Sequence, residues 1–459
     1  MLPVFEITVG ISHELTLFSV VGFIIGGLDD LLIDLIWMGR RIARRLTVYR
    51  NKPATTSATL MAARTPGRAV VFVPAWDEGA VIGSMLAHGI SAFGSQDYRI
   101  YVGCYPNDPA TLASIRSVRS DNIRIVMGAV DGPTTKAGCL NTIWRALVHD
   151  ESREGWRAKS IVLHDAEDIV HSAELRVFDR LIERFDFVQL PVLPLVDRHS
   201  RWVGGHYIDE FAEAHGKTIV VREAIGAGIP AAGVGCAFSR EMIGDIAQMR
   251  GGNPFDQDSL TEDYELGLRI AELGGRGIFV RLPHAGGGLV AVRAHFPASL
   301  EQAVRQKSRW VAGIALSGWD RLGWHGGAAE TWMRLHDRRA LAGAIVLLVA
   351  YAGLVLTMLT RAAGWAFGRP LPTVSPLMNG LLLASGAILL WRLGMRAGFV
   401  TATYGWREGL RSIPRAVVSN VIHVMAVRRA VAIYLRTRRD GVVRWDKTAH
   451  AFPLILPAE

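Results

Sequence analysis

The stretch SIVLHDAEDIV, Ser160 to Val170, places Asp165, Glu167 and Asp168 directly after the apolar residues Ile161, Val162 and Leu163. Carboxylates this close repel one another unless positive charge offsets them. An Asp-x-Glu pair at the end of a buried strand offers hard oxygen ligands of the kind that hold Mg2+ or Mn2+. An ion held there would bind a diphosphate and neutralise the charge that develops as it departs. The plain alternative is that Asp165 caps a turn while Glu167 and Asp168 face water.

Two further stretches carry residue types suited to chemistry. In SLTEDYELGLRIAELGGRG, Ser259 to Gly277, the spacing of Leu266, Leu268, Ile270 and Leu273 predicts a helix starting near Thr261. Glu262 and Asp263 then fall in its first turn, where the helix dipole favours negative charge. That alone accounts for them, unless Asp263 points into a cleft as a general base. In RQKSRWVAGIALSGW, Arg305 to Trp319, a helix makes Gln306 a neighbour of both Arg309 and Trp310. Arginine suits a phosphate, and an indole face suits the apolar face of a sugar ring. The alternative is an amphipathic helix whose arginine snorkels at a membrane surface.

These residues need a scaffold, and the sequence outlines one. Short β-rich runs (AVVFV at 69–73, YRIYVG at 98–103, IRIVMG at 123–128, SIVLHD at 160–165, FDFVQLPV at 185–192) alternate with helical stretches. Asp108-Pro109 has the form of a helix N-cap and first helical residue. From Ser172, Leu175, Phe178, Leu181, Ile182 and Phe185 form one apolar helix face. Such alternation predicts an α/β fold with a mainly parallel sheet covered by helices. Ligands of such sheets bind beyond the C-terminal strand ends, where the acid cluster lies.

The rest of the chain reads as membrane-associated. Of 459 residues, 50% are hydrophobic and 20% charged, with a mean hydropathy of +0.23. Apolar runs at Leu15–Trp37, Ala340–Thr360 and Pro372–Trp391 are long enough to cross a bilayer. The net charge of +9 is concentrated at their flanks, in Arg40, Arg41, Arg44, Arg45 and Arg50 after the first run and from Arg392 onward after the third. This placement favours a membrane over nucleic acid as the partner of the charge. By the positive-inside rule the N-terminus lies outside and both large polar segments are cytoplasmic. Asp29, Asp30 and Asp34 inside the first run either pair with arginines near the interface or line a path through the membrane. The segment Ser412–Arg436 mixes apolar residues with arginines and reads as a helix lying on the membrane surface. Three scattered cysteines, Cys104, Cys139 and Cys236, without a CxxC spacing, argue against disulfides and zinc. The absence of a Walker phosphate loop argues against an ATPase.

Taken in order, Asp-x-acid, Thr-Glu-Asp and Gln-x-x-Arg-Trp inside an α/β domain followed by membrane helices resemble the membrane-embedded family 2 glycosyltransferases of GT-A fold. The wording of VGCYPNDP, HDAED and the tail VRWDKTAHAFP (Val443–Pro453) is most similar to the bacteriophage adsorption protein B branch, whose separate C-terminal cyclic-dinucleotide domain is not expected here because the chain stops at Glu459. The resemblance implies a division into an N-terminal transmembrane helix (1–39), a basic linker (40–67), a GT-A domain (68–300), Gln-x-x-Arg-Trp and interfacial helices (301–338), two transmembrane helices (339–398) and a basic interfacial region (399–459). It implies Asp263 as catalytic base with Glu262 beside it, and Glu78, Lys136, Asn141, Asp165, Gln306 and Arg309 around a nucleotide-sugar donor, UDP-linked in many members. Trp310 and the loop Gly233, Val234, Gly235, Cys236 would meet the acceptor. Mg2+ or Mn2+ would sit on Asp165 and Glu167, with Asp168 as a supporting residue or a substitute ligand. Members usually carry an Asp pair after the second strand; here Gly103, Cys104 and Tyr105 stand there, with Asp108 the nearest acid, which leaves the choice of donor open. The implied activity is inverting transfer, at the cytoplasmic face of a bacterial inner membrane, onto a growing polysaccharide for synthesis or secretion. A glycan or lipid-linked acceptor, membrane lipids, and a homo-oligomer or an outer-membrane or periplasmic export partner are the implied partners. Two alternatives stay open: transfer of one sugar to a lipid carrier, and a non-enzymatic part in a secretion or phage-receptor assembly.

Overall fold

The computed structural model of the chain describes residues 2–370, 373–441 and 452–453. Pro372, the start of the third apolar run, and most of the Val443–Pro453 tail lie outside these residues.

Seven strands form one sheet: β1 (Ala69–Pro74), β2 (Tyr98–Cys104), β3 (Ile123–Met127), β4 (Ser160–Leu163), β5 (Phe187–Gln189), β6 (Cys236–Ser239) and β7 (Gly277–Phe279), in the spatial order β3-β2-β1-β4-β6-β5-β7. All pairings are parallel except those of β6, which runs against both β4 and β5. Residues of β1 are buried throughout and alternate between two cores, Val71 and Val73 on one face and Val70 and Phe72 on the other, as the period of two along a strand requires. Phe72 pairs with Leu163, and Leu163 with Cys236. The ends of β1 and β4 therefore open on one edge. Because β6 is reversed, the loop that precedes it arrives at that same edge.

Among the described residues, four helices have the length and composition to cross a membrane. The N-terminal helix, Leu2–Thr47, extends on both sides of the apolar run read from the sequence. Helices Ala340–Ala366 and Pro376–Tyr404 follow the α/β region. The fourth, Trp406–Asp440, holds the segment expected on the membrane surface. Its longest stretch free of Asp, Glu, Lys and Arg is Ala416–Val427, about 18 Å at the helical rise, short of a hydrocarbon core of about 30 Å. Its Arg415 is buried against protein, pairing with Asp209 at 2.6 Å and Glu408 at 2.8 Å.

Asp29, Asp30 and Asp34 of the first helix are all paired. Asp29 bonds Arg339 at 2.6 Å, His336 at 2.7 Å and the Trp332 indole at 2.6 Å. Asp30 meets Arg339 at 2.5 Å and Arg392 at 2.8 Å. Asp34 is buried with Lys217 at 2.5 Å and accepts from the Trp391 indole at 2.8 Å. Of the two expectations for these acids, pairing is the arrangement found. Asp29, Asp30 and His336 lie close enough to share a cation, but Arg339 already supplies the positive charge.

Candidate active site

The cleft is built at the edge where β1 and β4 end and β6 begins. Asp165 lies two residues past β4, one-third exposed, with its carboxylate 2.6 Å from Lys136 Nζ. Lys136 opens the Lys136–Glu154 helix, whose N-cap Thr135 accepts from Gly138 N. Burial works against the charged form of Lys136, yet the carboxylates of Asp165, Glu262 and Asp263 outweigh it and hold the ammonium above its ordinary value. One cation thus joins the first acid motif to the second.

Glu262 and Asp263 begin the Glu262–Glu272 helix. Burial and the neighbouring Asp263 push Glu262 up to about 7, against the pull of Lys136 and Arg309. Burial raises Asp263 as well, opposed by Lys136, by its bond from Tyr264 N at 2.7 Å, and by Arg309. A buried carboxylate pair facing one lysine is poised to accept a proton near neutral pH.

The Gly233–Gly235 loop lies against this pair. A Cβ on Gly233 would collide with the Asp263 carboxylate, and Gly233 has φ +76°. Gln189, at the end of β5, holds the loop: its side-chain oxygen accepts from Ala232 N at 2.8 Å and its amide donates to Val234 O at 3.0 Å. Nothing singled out Gln189 in the sequence, although a glutamine inside the apolar run FDFVQLPV was a usable signal. Val234 and Cys236 are buried, and burial raises the Cys236 thiol far above its ordinary value. Cys236 packs as the first residue of β6, and Gly233 is the loop glycine that lies against Asp263.

Gln306, Arg309 and Trp310 share the Leu300–Val311 helix, capped by Ser299. Trp310 packs edge-on against Tyr207 and Phe211 at 6.1 and 6.2 Å between ring centroids. Gln306 Oε1 is buried without a hydrogen-bond partner among the described residues, a polar atom that a ligand would satisfy. The helix continues as a π turn, Ala312–Ser317, in which a Cβ on Gly313 would press on the Thr261 side chain at 2.5 Å. This seats the Gln-x-x-Arg-Trp helix directly on the Thr-Glu-Asp segment.

Two expected site residues, Asn141 and Asp168, make bonds within the protein, and Asp108 is the helix N-cap that its sequence reads as. Asn141 is fully buried, and its side chain clamps the backbone of Phe255, donating to the carbonyl at 2.7 Å and accepting from the N–H at 3.0 Å. Both ends of its amide bond this backbone, so in this structure Asn141 fixes a loop, a task the donor-binding expectation did not foresee. Asp168 is buried, and its Oδ2 meets His164 Nδ1 at 2.8 Å and accepts from Asp165 N at 3.0 Å. His164 also bonds Glu174 at 2.5 Å. Burial disfavours the imidazolium, but Glu174 and Asp168 push its pKa up to about 10. The His164–Asp168–Glu174 group thus braces the backbone of Asp165, and Asp168 does not converge with Asp165 and Glu167 as a third ligand. Asp108 caps the Pro109–Ser117 helix and accepts from Asp77 N at 2.6 Å. Together with the bond from Glu78 N to Thr111 at 2.8 Å, this stitches the loop after β1 to the one after β2. Asp77, at φ 54°, is the one non-glycine residue with positive φ among the described residues, a strained position beside a cleft. Glu78 follows it, buried.

The sequence model described as glycosyltransferase like family 2 matches residues 66–313. The bacteriophage adsorption protein B of Escherichia coli K12 is 36% identical over 455 residues, which cover 94% of this chain and 61% of that protein. The bacteriophage N4 adsorption protein B of Escherichia coli O157:H7 matches to the same extent. The chain spans about three fifths of the length of these curated relatives. Among solved structures, the mannosyltransferase PcManGT from Pyrobaculum calidifontis, in complex with GDP-Man and Mn2+, matches with a TM-score of 0.52 at 18% identity, covering 89% of this chain and 99% of that one. At that identity the likeness is one of fold.

Proposed function

Because this chain belongs to the family 2 glycosyltransferases, we propose that it moves a sugar from a nucleotide diphosphate donor to a glycan acceptor at the membrane surface, with inversion at the anomeric carbon. The observation that carries this reading is the convergence of Asp165, Lys136, Glu262 and Asp263 at one strand edge, with Arg309 close enough to act on both acids of the pair.

Asp263 takes the proton of an acceptor hydroxyl as that oxygen attacks the anomeric carbon. Its raised proton affinity suits the task. The Gly233–Gly235 loop lets the acceptor approach the backbone beside Asp263, and Trp310 gives it a flat apolar wall. Lys136 and Arg309 supply positive charge on the side where the diphosphate departs, and Gln306 offers a hydrogen bond there. The donor set of Asp165 and Glu167, one-third exposed and buried respectively, fits a hard divalent cation. Mg2+ or Mn2+ bound there would neutralise the leaving diphosphate. Glu78 lies on the strained loop after β1, where the nucleotide base would rest.

A growing polysaccharide is the proposed acceptor, with the catalytic domain on the cytoplasmic side of a bacterial inner membrane, as the arginine flanks support. The donor is proposed as UDP-linked. The test is release of nucleoside diphosphate by the purified chain across a panel of UDP- and GDP-sugars with Mn2+ or Mg2+. Release with one donor, lost in Asp263→Asn, is expected. No release from any donor would favour the non-enzymatic alternative, and a single-sugar lipid product would favour the lipid-carrier alternative.

A further inference from the structure

Away from the catalytic edge, a cavity of about 1530 Å³ lies between the end of the N-terminal helix, the Gly394–Tyr404 end of the third apolar helix and the back of the α/β domain. Arg40, Arg41, Arg44, Arg45 and Lys52 line it from the first helix and the segment after it. Arg281 and Arg293 line it from the α/β domain. Against these seven cations stands one acid, Glu223.

None of the seven makes an ion pair among the described residues. The contrast with their surroundings is sharp, since Lys217, Arg339, Arg392 and Arg396 nearby are each bonded to a carboxylate. Arg281 donates to the His215 carbonyl at 2.5 Å, and burial together with the charge of Arg41 holds it below its ordinary value. Glu223 is engaged by the Phe279 N–H at 3.3 Å. Among the described residues, the cavity therefore carries a surplus of positive charge that no carboxylate pairs with.

Most of the remaining lining is apolar and belongs partly to the membrane helices: Trp37, Met395 and Phe399, with Leu195 and Val280 from the domain. Trp37 and Phe399 meet edge to face at 4.9 Å. A ligand that suits the whole cavity has a phosphate at one end and a hydrocarbon chain at the other.

We infer that this cavity is a binding site for an anionic glycerophospholipid, its phosphate among Arg41, Arg44 and Arg281 and its acyl chains along Trp37, Met395 and Phe399. The phospholipid supplies the missing negative charge and ties the α/β domain to the first and third apolar helices. The site is independent of the catalytic reading. A free phosphate would share the charge chemistry but would leave the apolar wall wet.

The full chain, purified in a neutral detergent, is offered phosphatidylglycerol and phosphatidylcholine in equal amounts, and retained lipid is counted by native mass spectrometry. Neutralising three cations at roughly fivefold each removes about a hundredfold of selectivity. The wild type is expected to prefer phosphatidylglycerol by more than about tenfold, and the R41Q/R44Q/R281Q variant to show almost none. R436Q/R439Q, equally basic positions outside the cavity, should retain it. If the triple variant does not fold, the wild type still decides: brominated phosphatidylglycerol should quench a fluorescence component that Trp37→Phe removes. Equal retention of the two lipids, selectivity surviving the triple variant, quenching unchanged in Trp37→Phe, or displacement of lipid by inorganic phosphate would each overturn the assignment.

Discussion

Replacing Glu262 with glutamine should stabilise the protein, by an amount that grows as pH rises from about 4.5 to about 7. Burial, then repulsion from Asp263, raises Glu262 from 4.5 to about 7. A raised carboxylate favours the protonated form in the folded state. The cost of ionising it is therefore absent well below 4.5, grows between 4.5 and 7, and is complete above 7. The span from 4.5 to about 7, at 1.36 kcal/mol per pH unit, sets the full cost at about 3 kcal/mol. Glutamine keeps the shape and removes the charge. Glu262→Gln should thus gain up to about 3 kcal/mol at pH 8 but only about 1 kcal/mol at pH 5. Unfolding of the full chain in detergent, followed by tryptophan fluorescence at half-unit pH steps, reads this directly. A stability gain independent of pH, or a loss at pH 8, would refute the claim that Glu262 is a strained buried charge.

Asp263→Asn should lower kcat by about a hundredfold or more while leaving donor affinity, measured by calorimetry, within about twofold of wild type. The acid limb of the kcat/KM profile should lie above the ordinary carboxylate range, activity rising with pH as the raised Glu262–Asp263 pair loses its proton; an acid limb near pH 4 would contradict the burial of the pair. Asn141→Ala leaves the N–H and carbonyl of Phe255 unpartnered and should cost about 2–4 kcal/mol. Its donor KM should stay nearly unchanged in the fraction that folds; a large KM effect with normal stability would restore the nucleotide contact. Lys217→Met strands Asp34 in the interior and should cost about 3–5 kcal/mol, read as a lowered unfolding midpoint, with Lys217→Arg retaining most of the stability.

The strands were legible in the sequence because AVVFV, YRIYVG and SIVLHD are short β-branched runs bounded by turn residues. The acid, Thr-Glu-Asp and Gln-x-x-Arg-Trp motifs could be picked out because each keeps a fixed local spacing. What lay beyond local spacing was the partner of each polar group. Asn141 meets a backbone 114 residues away, and no period in the sequence announces that pairing. Asp168 stands beside Asp165 and Glu167 in sequence but turns toward His164, a choice made by the buried Glu174 on the far side of the ring. Cys236 sits in the acceptor loop by wording and in the sheet by structure, because β6 begins at that residue.

The acids of the first helix also set a schedule for making the protein. Asp30 leaves the ribosome early, while its partner Arg392 is synthesised 392 − 30 = 362 residues later. At about 5–20 residues per second, that interval lasts roughly 20 to 70 s. Arg339, made 309 residues after Asp30, reaches it sooner, so what is outstanding over the last part of the interval is the second cation of Asp30. The first segment to enter the bilayer is thus among the last to be electrically complete, and a chain halted before Arg392 would leave it waiting.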